Sequence, residues 1–133
     1  MKREIKFKAK RLDNGEWVEG SLTYSQGTAF IHRKESDEDD RCYLTPYRVI
    51  PETICQFTGM KDEKGNEIWE GDIVHDSYYL LGTDNLYEVV YIEEEGNFAF
   101  KSLDKVDNYE PFVNLLEAYV VGNKFDGEIE YED

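Results

Sequence analysis

The sequence of 133 residues contains little cysteine, histidine or proline, and it has no long hydrophobic run. The cysteines (Cys42 and Cys55) and the histidines (His32 and His75) show no Cys-x-x-Cys or His-x-x-x-His spacing, which excludes the common zinc patterns. No segment approaches the roughly 20 apolar residues of a membrane helix. The opening MKREIKFKAK also lacks the hydrophobic core of a signal peptide. We therefore expect a cytoplasmic protein without a membrane segment, with both cysteines reduced and packed in or near the core.

Catalytic motifs are also missing. The chain has no Gly-x-x-x-x-Gly-Lys phosphate loop, no Gly-x-Gly-x-x-Gly motif after a strand and no Gly-x-Ser-x-Gly elbow. A calcium loop read from Asp62 fails because Glu67 stands where that loop needs glycine. Glu70 and Asp72 would share one face of a strand, but a strongly charged segment brings acids together by chance. We therefore predict no catalytic, metal-binding or cofactor-binding residues, and a protein that is not an enzyme.

Basic residues are scarce in the second part of the chain. Residues 1–55 contain 10 acidic and 10 basic side chains, whereas residues 56–133 contain 20 acidic and 5 basic ones. The net charge of −15 therefore lies entirely in the second part. Such a surface repels phosphate backbones, favours solubility and attracts basic partners.

What the sequence does contain is strand pattern. Ile5, Phe7 and Ala9 alternate with lysines, and Asp13-Asn14-Gly15 is a hairpin signal. Further strand segments are predicted at residues 17–24, 29–31, 42–44, 47–50, 53–58, 68–74, 86–92, 97–103 and 118–121. Residues 34–41, KESDEDDR, are predicted as an exposed loop, and residues 108–116 as one or two helical turns.

Many short strands separated by Gly and Asn turns indicate a mainly β fold with little helix, either a barrel or a sandwich. The charge shift and Pro51 predict an N-terminal β-hairpin or sheet region over residues 1–55 and a second region over residues 56–133. The two regions are either separate domains or one closely packed unit.

The most patterned segment is FTGMKDEKGNEIWEGDIV, residues 57–74. Its Lys-Gly-Asn at positions 64–66 predicts a turn between two apolar strands, since glycine and asparagine adopt positive φ at low cost. The Gly-Asp at 71–72 predicts a kink or bulge before the next strand. We interpret the segment as a hairpin that sets strand register, in preference to a catalytic motif or a metal loop.

This segment, the opening MKREIKFKAK and the late YVVGNKFD together resemble the YopX family of phage and prophage proteins. The positions that match the family pattern are Thr58, Gly59, Lys61, Asp62, Gly65, Glu67, Ile68, Glu70, Gly71, Asp72, Ile73, Val74, Gly122 and Asn123. Trp69 stands where the family usually has tyrosine, and Gly65-Asn66 reverses the usual Asn-Gly order.

The resemblance implies a small β-rich protein whose second region is similar to an SH3-like barrel. It also implies a phage or prophage protein in the bacterial cytoplasm, and a homo-oligomer as one possible state. It carries over no activity, no cofactor and no catalytic residue.

Three functions follow from these patterns. We favour an accessory or adaptor protein that binds an unidentified host or phage protein, since tyrosine is enriched at interfaces and no catalytic pattern is found. The predicted interaction surface consists of Tyr78, Tyr79, Tyr87, Glu93, Glu94 and Glu95, with Tyr91 and Tyr109 as further candidates. One alternative is an acidic DNA mimic that occupies a host DNA-binding protein through residues 93–95 and 126–133. The other is direct nucleic-acid binding, disfavoured by the acidity, through a basic stripe of Lys2, Arg3, Lys6, Lys8, Lys10 and Arg11.

Overall fold

The computed structural model describes residues 4–76, 86–103, 109–111 and 118–127, and its ordered elements are almost all antiparallel strands. The strands are β1 (Phe7–Lys10), β2 (Trp17–Ser25), β3 (Thr28–Ser36), β4 (Cys42–Arg48), β5 (Cys55–Lys61), β6 (Glu67–Trp69), β7 (Asp72–Asp76), β8 (Leu86–Ile92), β9 (Asn97–Ser102), β10 (Tyr109–Pro111) and β11 (Ala118–Asn123). A 3-10 turn at Pro51–Thr53 is the one helical element in the part of the chain that is described. The predicted mainly β class is confirmed.

The chain divides into two compact units, residues 1–57 and residues 58–133. The boundary falls within β5. Residues 55–57 of this strand belong to the first unit, and residues 58–61 belong to the second. The predicted division after residue 55 into two regions stays a prediction.

In the first unit the strands lie side by side in the order β4-β3-β2-β1-β5. Alternation in β1 turns Ala9 into the core while its lysine neighbours face away, because successive side chains of a strand point to opposite faces. The fully buried residues of this core are Ala9, Val18, Ala29, Ile31 and Val49. Burying each of the larger aliphatic side chains contributes about 1.5–3 kcal/mol.

A glycine sets how closely β2 and β3 approach each other. A Cβ atom added at Gly20 would lie 2.1 Å from the carbonyl oxygen of His32. Any other residue at position 20 therefore forces the two strands apart.

Strand β3 is longer than the sequence pattern indicates. Lys34, Glu35 and Ser36 pair in register with residues 44, 43 and 42 of β4, so the exposed loop is confined to residues 37–41. The prediction of a loop over residues 34–41 was wrong for these three positions. The sheet tolerates Glu35 because neighbouring side chains bind its carboxylate.

The two cysteines differ in burial. Cys55 is buried, as predicted, whereas Cys42 is exposed near the start of β4, so its predicted place in or near the core was wrong. Neither of the two cysteines forms a disulfide.

In the second unit the end of β5 is paired with β6, and a five-stranded antiparallel sheet has the order β10-β9-β8-β7-β11. Its core consists of Ile68, Val74, Val89, Phe100 and Ala118. A register shift between Val120 and Gly122 places a bulge in β11 beside β7.

Two predicted elements of the second unit were wrong. The single strand over residues 68–74 is interrupted by a turn at Glu70 and Gly71, which separates β6 from β7. Tyr109–Pro111, where helical turns were predicted, forms β10 and pairs with β9. The rest of residues 108–116 lies outside the described residues.

Among the described strands neither sheet closes into a barrel, so the predicted SH3-like barrel is not confirmed. In the described part of the chain, no helix is long and apolar enough to span a membrane.

Candidate interaction surfaces

The carboxylate of Asp62 closes the turn that follows β5. Its Oδ1 accepts hydrogen bonds from the backbone N–H groups of Lys64 (2.9 Å) and Asn66 (2.8 Å). Its Oδ2 accepts the N–H of Val120 in β11 (2.9 Å). Gly65 lies in this turn with φ of +85°, a conformation that favours glycine. Asp62 therefore shapes the turn and also holds it to the last strand.

Asp72 is 3 % exposed and makes a second connection between the segment of residues 57–74 and strand β11. One carboxylate oxygen accepts the N–H of Trp69 (2.7 Å), and the other accepts the side-chain amide of Asn123 (3.1 Å). The backbone adds to this connection, since the N–H of Lys124 donates to the carbonyl of Gly71 (3.0 Å). Asp62 and Asp72 thus accept hydrogen bonds from backbone and amide donors, which is a structural use of their carboxylates.

The remaining motif positions have the same structural character. The hydroxyl of Thr58 donates to the carbonyl of Ile68 (2.7 Å), which joins β5 to β6. Gly59 and Gly71 have φ of +87° and +88°, so both occupy the left-handed region. Ile73 and Val74 are buried.

An open cleft lies on the β8–β9–β10 part of the second unit. Its volume is about 830 Å³, within the range of protein binding sites. The cleft, hereafter the acidic cleft, is lined by Val90, Tyr91, Ile92, Glu93, Glu94, Glu95, Asn97, Ala99, Lys101 and Tyr109. Val90 pairs with Ala99, and both lie on the sheet face opposite the core residues Val89 and Phe100. The floor of the cleft is therefore an apolar sheet face.

The rim of the acidic cleft is the turn between β8 and β9. The carbonyl of Ile92 accepts the N–H groups of Glu95 (3.2 Å) and Gly96 (2.8 Å), so backbone hydrogen bonds define the turn. Glu93, Glu94 and Glu95 are exposed, and none of their side chains makes an ion pair or hydrogen bond with the described residues. The rim consequently presents three exposed carboxylates that have no ion pair within the described part of the chain.

Exposed aromatic rings flank these acids. Tyr91 and Tyr109 keep 45 % and 43 % of their surface exposed, enough to contact another molecule. Tyr91 is held edge-on against Phe98, with ring centroids 5.1 Å apart. The predicted residues 93–95 therefore lie together with two of the further tyrosine candidates.

The other predicted surface residues lie elsewhere. Tyr87 packs against the core of the second unit and contacts Phe100, with ring centroids 6.2 Å apart. It is therefore half-buried beside the core. Tyr78 and Tyr79 lie outside the described residues. The membership of these three tyrosines in the surface stays a prediction.

The family model described as YopX protein matches residues 6–128, nearly the whole chain. The chain belongs to the YopX family. Among solved structures it is similar to the crystal structure of protein EF1440 from Enterococcus faecalis, with 22 % identity and a TM-score of 0.57. That match covers 92 % of this chain and 94 % of the other, and it supports the fold alone. No curated protein gives a significant match.

In this YopX protein the basic stripe predicted on the first hairpin is divided between two sheet faces. Lys8 and Lys10 lie over the ring of Trp17, with ammonium-to-centroid distances of 4.7 and 5.4 Å. Arg11 follows Lys10 directly, so its side chain points to the other face of the sheet. It binds Asp13 through two hydrogen bonds (3.0 and 2.7 Å). These bonds raise the pKa of Arg11 and lower that of Asp13.

The stripe is also partly neutralised. The ammonium group of Lys6 lies 2.9 Å from a carboxylate oxygen of Glu4 and 3.5 Å from one of Glu19. Lys2 and Arg3 lie outside the described residues. The described residues therefore provide a small basic and aromatic patch around Trp17, not a continuous groove.

A polar cluster on β3 and β4 was missed by the sequence analysis. Glu35 accepts hydrogen bonds from the hydroxyls of Thr45 (2.5 Å) and Tyr47 (3.0 Å) and from the guanidinium of Arg33 (2.6 Å). The Thr45 bond, then those of Arg33 and Tyr47, lower the pKa of Glu35 from 4.5 to about 2. The available signal was the alternation of Arg33 and Glu35, which places both on one strand face.

The guanidinium groups of this cluster also stack on an aromatic ring. Arg11 and Arg33 lie 4.4 and 4.8 Å from the ring centroid of Tyr47. Because both carboxylate oxygens of Glu35 accept hydrogen bonds, the cluster is an organised structural element of the first unit.

For metal ions the described residues offer little. No group of three or more His, Cys, Asp and Glu side chains among them could hold a metal ion.

Proposed function

We propose that this YopX protein is a non-enzymatic adaptor that binds a partner protein through the acidic cleft. The observation that carries the proposal is the combination in one cleft of an apolar sheet floor, the exposed Tyr109 on the same sheet face and three exposed glutamates at the rim. Tyr91 borders the cleft from the opposite face of β8. Tyrosine supplies large contact area at low entropic cost, which is why it is frequent at protein interfaces.

The charge of the cleft favours a basic, extended segment as the bound element. Among the described lining residues, Lys101 is the one cationic side chain, against three glutamates. The second unit as a whole has 20 acidic and 5 basic residues, which leaves a charge of −15. Lysine or arginine side chains of the partner would face the glutamates, while its apolar side chains would cover the half-buried Val90 and Ile92.

Affinity capture from a host lysate, with nuclease, tests this proposal. Three proteins are compared: wild type, a Glu93→Lys, Glu94→Lys and Glu95→Lys variant, and a matched control. The control replaces three exposed acids of the first unit, Glu38, Asp39 and Glu52, by lysine. Both triple variants change the net charge equally, so a difference between them reports position and not total charge.

The expected result is a partner that the wild type and the control retain and that the 93–95 variant loses. Retention is measured at about 50 mM and about 300 mM salt, because salt screens exposed charges over roughly 10 Å or less. If both variants lost the partner equally, net charge and not the position of the glutamates would explain the loss. If both variants retained the partner equally, the acidic rim would not contribute to binding.

Two alternatives give different outcomes in the same experiment. A DNA-binding host protein released at high salt would indicate DNA mimicry by the acidic surface. Nucleic acid retained without nuclease and lost steeply with salt would indicate binding at the patch of Lys8, Lys10 and Trp17. Lys-to-Gln replacement at 8 and 10 would then abolish retention.

We also propose the finer features that the YopX resemblance implies. These are an SH3-like barrel formed by the second unit and a role as a phage or prophage accessory protein in the bacterial cytoplasm. Five short antiparallel strands in the second unit and the family membership support them. An experimental structure and the genomic neighbourhood of the coding sequence test the two features separately.

A further inference from the structure

A smaller cleft lies in the first unit, between the turn that follows β1 and the last residues of β4. Its volume is about 380 Å³, which is within the range of protein binding sites. The cleft, hereafter the arginine cleft, is lined by Arg11, Leu12, Asp13, Pro46, Tyr47 and Arg48. It belongs to the other unit than the acidic cleft and does not depend on it.

Backbone hydrogen bonds fix the two walls of the arginine cleft to each other. The N–H of Leu12 donates to the carbonyl of Arg48 (2.9 Å), and the N–H of Ile50 donates to the carbonyl of Lys10 (2.9 Å). A site that is formed before binding loses little conformational entropy when a ligand arrives. A few well-placed contacts are therefore enough for association here.

Arg11 is held in place but keeps hydrogen-bond donors for a ligand. Its Nε and Nη2 donate to the two carboxylate oxygens of Asp13 (3.0 and 2.7 Å). Its guanidinium carbon lies 4.4 Å from the ring centroid of Tyr47. These contacts orient the guanidinium and use only part of its N–H groups, since Nη1 makes no hydrogen bond with the described residues.

Arg48 supplies a second guanidinium group, and its side chain is exposed. It makes no ion pair or hydrogen bond with the described residues. Among the described lining residues Asp13 is the one acidic side chain, and both of its oxygens bind Arg11. Two guanidinium groups against one carboxylate leave the arginine cleft with an excess of one positive charge.

Apolar surface lies beside these two guanidinium groups. Leu12 is 54 % exposed, and Pro46 is also exposed. A guanidinium binds a carboxylate through parallel N–H donors in one plane, and this geometry is more specific than a point charge. The arginine cleft thus offers donors for a carboxylate next to a surface for an apolar side chain.

We propose that the arginine cleft binds an acidic peptide segment of a partner protein. A glutamate or aspartate carboxylate of that segment lies between Arg11 and Arg48, and an apolar neighbour covers Leu12 and Pro46. Charge complementarity selects this occupant, because a basic segment would meet the excess positive charge. The adaptor would then carry two contact sites of opposite charge preference, one in each unit.

Titration of the nitrogen-15-labelled full chain with the peptide acetyl-Leu-Glu-Leu-Glu-Leu-amide tests the proposal by NMR. The matched peptide has glutamine in place of both glutamates. We expect the acidic peptide to shift the signals of residues 11–13 and 46–48, including the Nε–H of Arg48, with a dissociation constant of about 1 mM. The glutamine peptide is expected to leave these signals unchanged.

Three variants show whether the Arg48 guanidinium is responsible. Arg48→Gln is expected to raise the dissociation constant at least about tenfold, and Arg48→Lys to raise it less, because lysine keeps the charge but loses the planar donors. Arg41→Gln is the matched control, since Arg41 is an exposed arginine of the same unit that does not line the arginine cleft. Its dissociation constant is expected to equal that of the wild type.

Several results would overturn the proposal. These are an absence of shifts at residues 11–13 and 46–48 up to about 20 mM peptide, equal shifts with the glutamine peptide, and a dissociation constant that Arg48→Gln leaves unchanged. Tighter binding of oligothymidylate at the same residues would make a nucleic-acid phosphate the occupant instead. Shifts of these signals with protein concentration alone would make a second copy of the chain the occupant.

Discussion

The connection between Asp72 and Asn123 predicts a large loss of stability on truncation. Asp72→Ala removes two buried hydrogen bonds to a carboxylate, those donated by the N–H of Trp69 and the amide of Asn123. Hydrogen bonds to charged groups contribute about 1.5–3 kcal/mol each, so the expected destabilisation is about 4 kcal/mol. Domains have a total stability of about 5–15 kcal/mol, and the variant is therefore expected to be close to unfolding.

The assay is urea unfolding followed by tryptophan fluorescence. Trp17 lies in the first unit and Trp69, 4 % exposed, in the second, so a Trp17→Phe background makes the signal report on the second unit. Glu63→Ala, at an exposed position of the same segment, is the control and is expected to change stability by less than about 0.5 kcal/mol.

A polarity swap sharpens the test. Asp72→Asn keeps an acceptor for Trp69 but turns its amide toward that of Asn123, with an expected cost of about 1–3 kcal/mol. Adding Asn123→Asp restores an acceptor opposite that amide and should recover most of the loss. If Asp72→Ala loses less than about 1 kcal/mol, or the swap recovers nothing, the reasoning about this connection is refuted.

Three further predictions concern single positions. Gly20→Ala should destabilise the first unit by about 3 kcal/mol in thermal unfolding, because its methyl group meets the backbone of His32; an unchanged melting temperature would contradict this. The Glu35 carboxyl should titrate at a pKa of about 2 by NMR and rise toward 4.5 in Thr45→Val, whereas an unchanged value in the variant would rule out the hydroxyl as the main cause. Since the folded-state pKa is lowered, the stabilisation by Glu35 is present above pH 4.5 and is lost as the pH falls toward 2. Asp62→Ala should expose the Val120 amide to hydrogen exchange, and protection equal to wild type would exclude that bond.

Local signals predicted the strands and turns well. Alternation and turn residues indicated β2, β8 and β9, because side-chain period and turn chemistry are both local. The interruption at Gly71 was predicted only as a kink. Whether a glycine kinks one strand or separates two depends on which strands each half pairs with, and that pairing involves distant segments.

The site residues show the same limit. Tyr87 and Tyr91 lie on the same face of β8, yet Tyr87 packs beside the core while Tyr91 is 45 % exposed at the strand end. The alternation of side chains along a strand does not show which of two residues on the same face is buried and which is exposed. Glu35 stands in a charged run that looks solvated, and its donors Thr45 and Tyr47 come from another strand. Asn123, the partner of Asp72, is 51 residues away, so its role was visible only as part of the family pattern.

The most direct test of the adaptor function is site-specific photocrosslinking in host lysate. A photoreactive phenylalanine analogue replaces Tyr109, which lies on the floor face of the acidic cleft, or, as the control, the exposed Tyr24 of the first unit. We predict a discrete protein adduct from position 109 and none from position 24, with the adduct lost when residues 93–95 are changed to lysine. Adducts from position 24 alone, or equal adducts from both positions, would contradict binding at the acidic cleft.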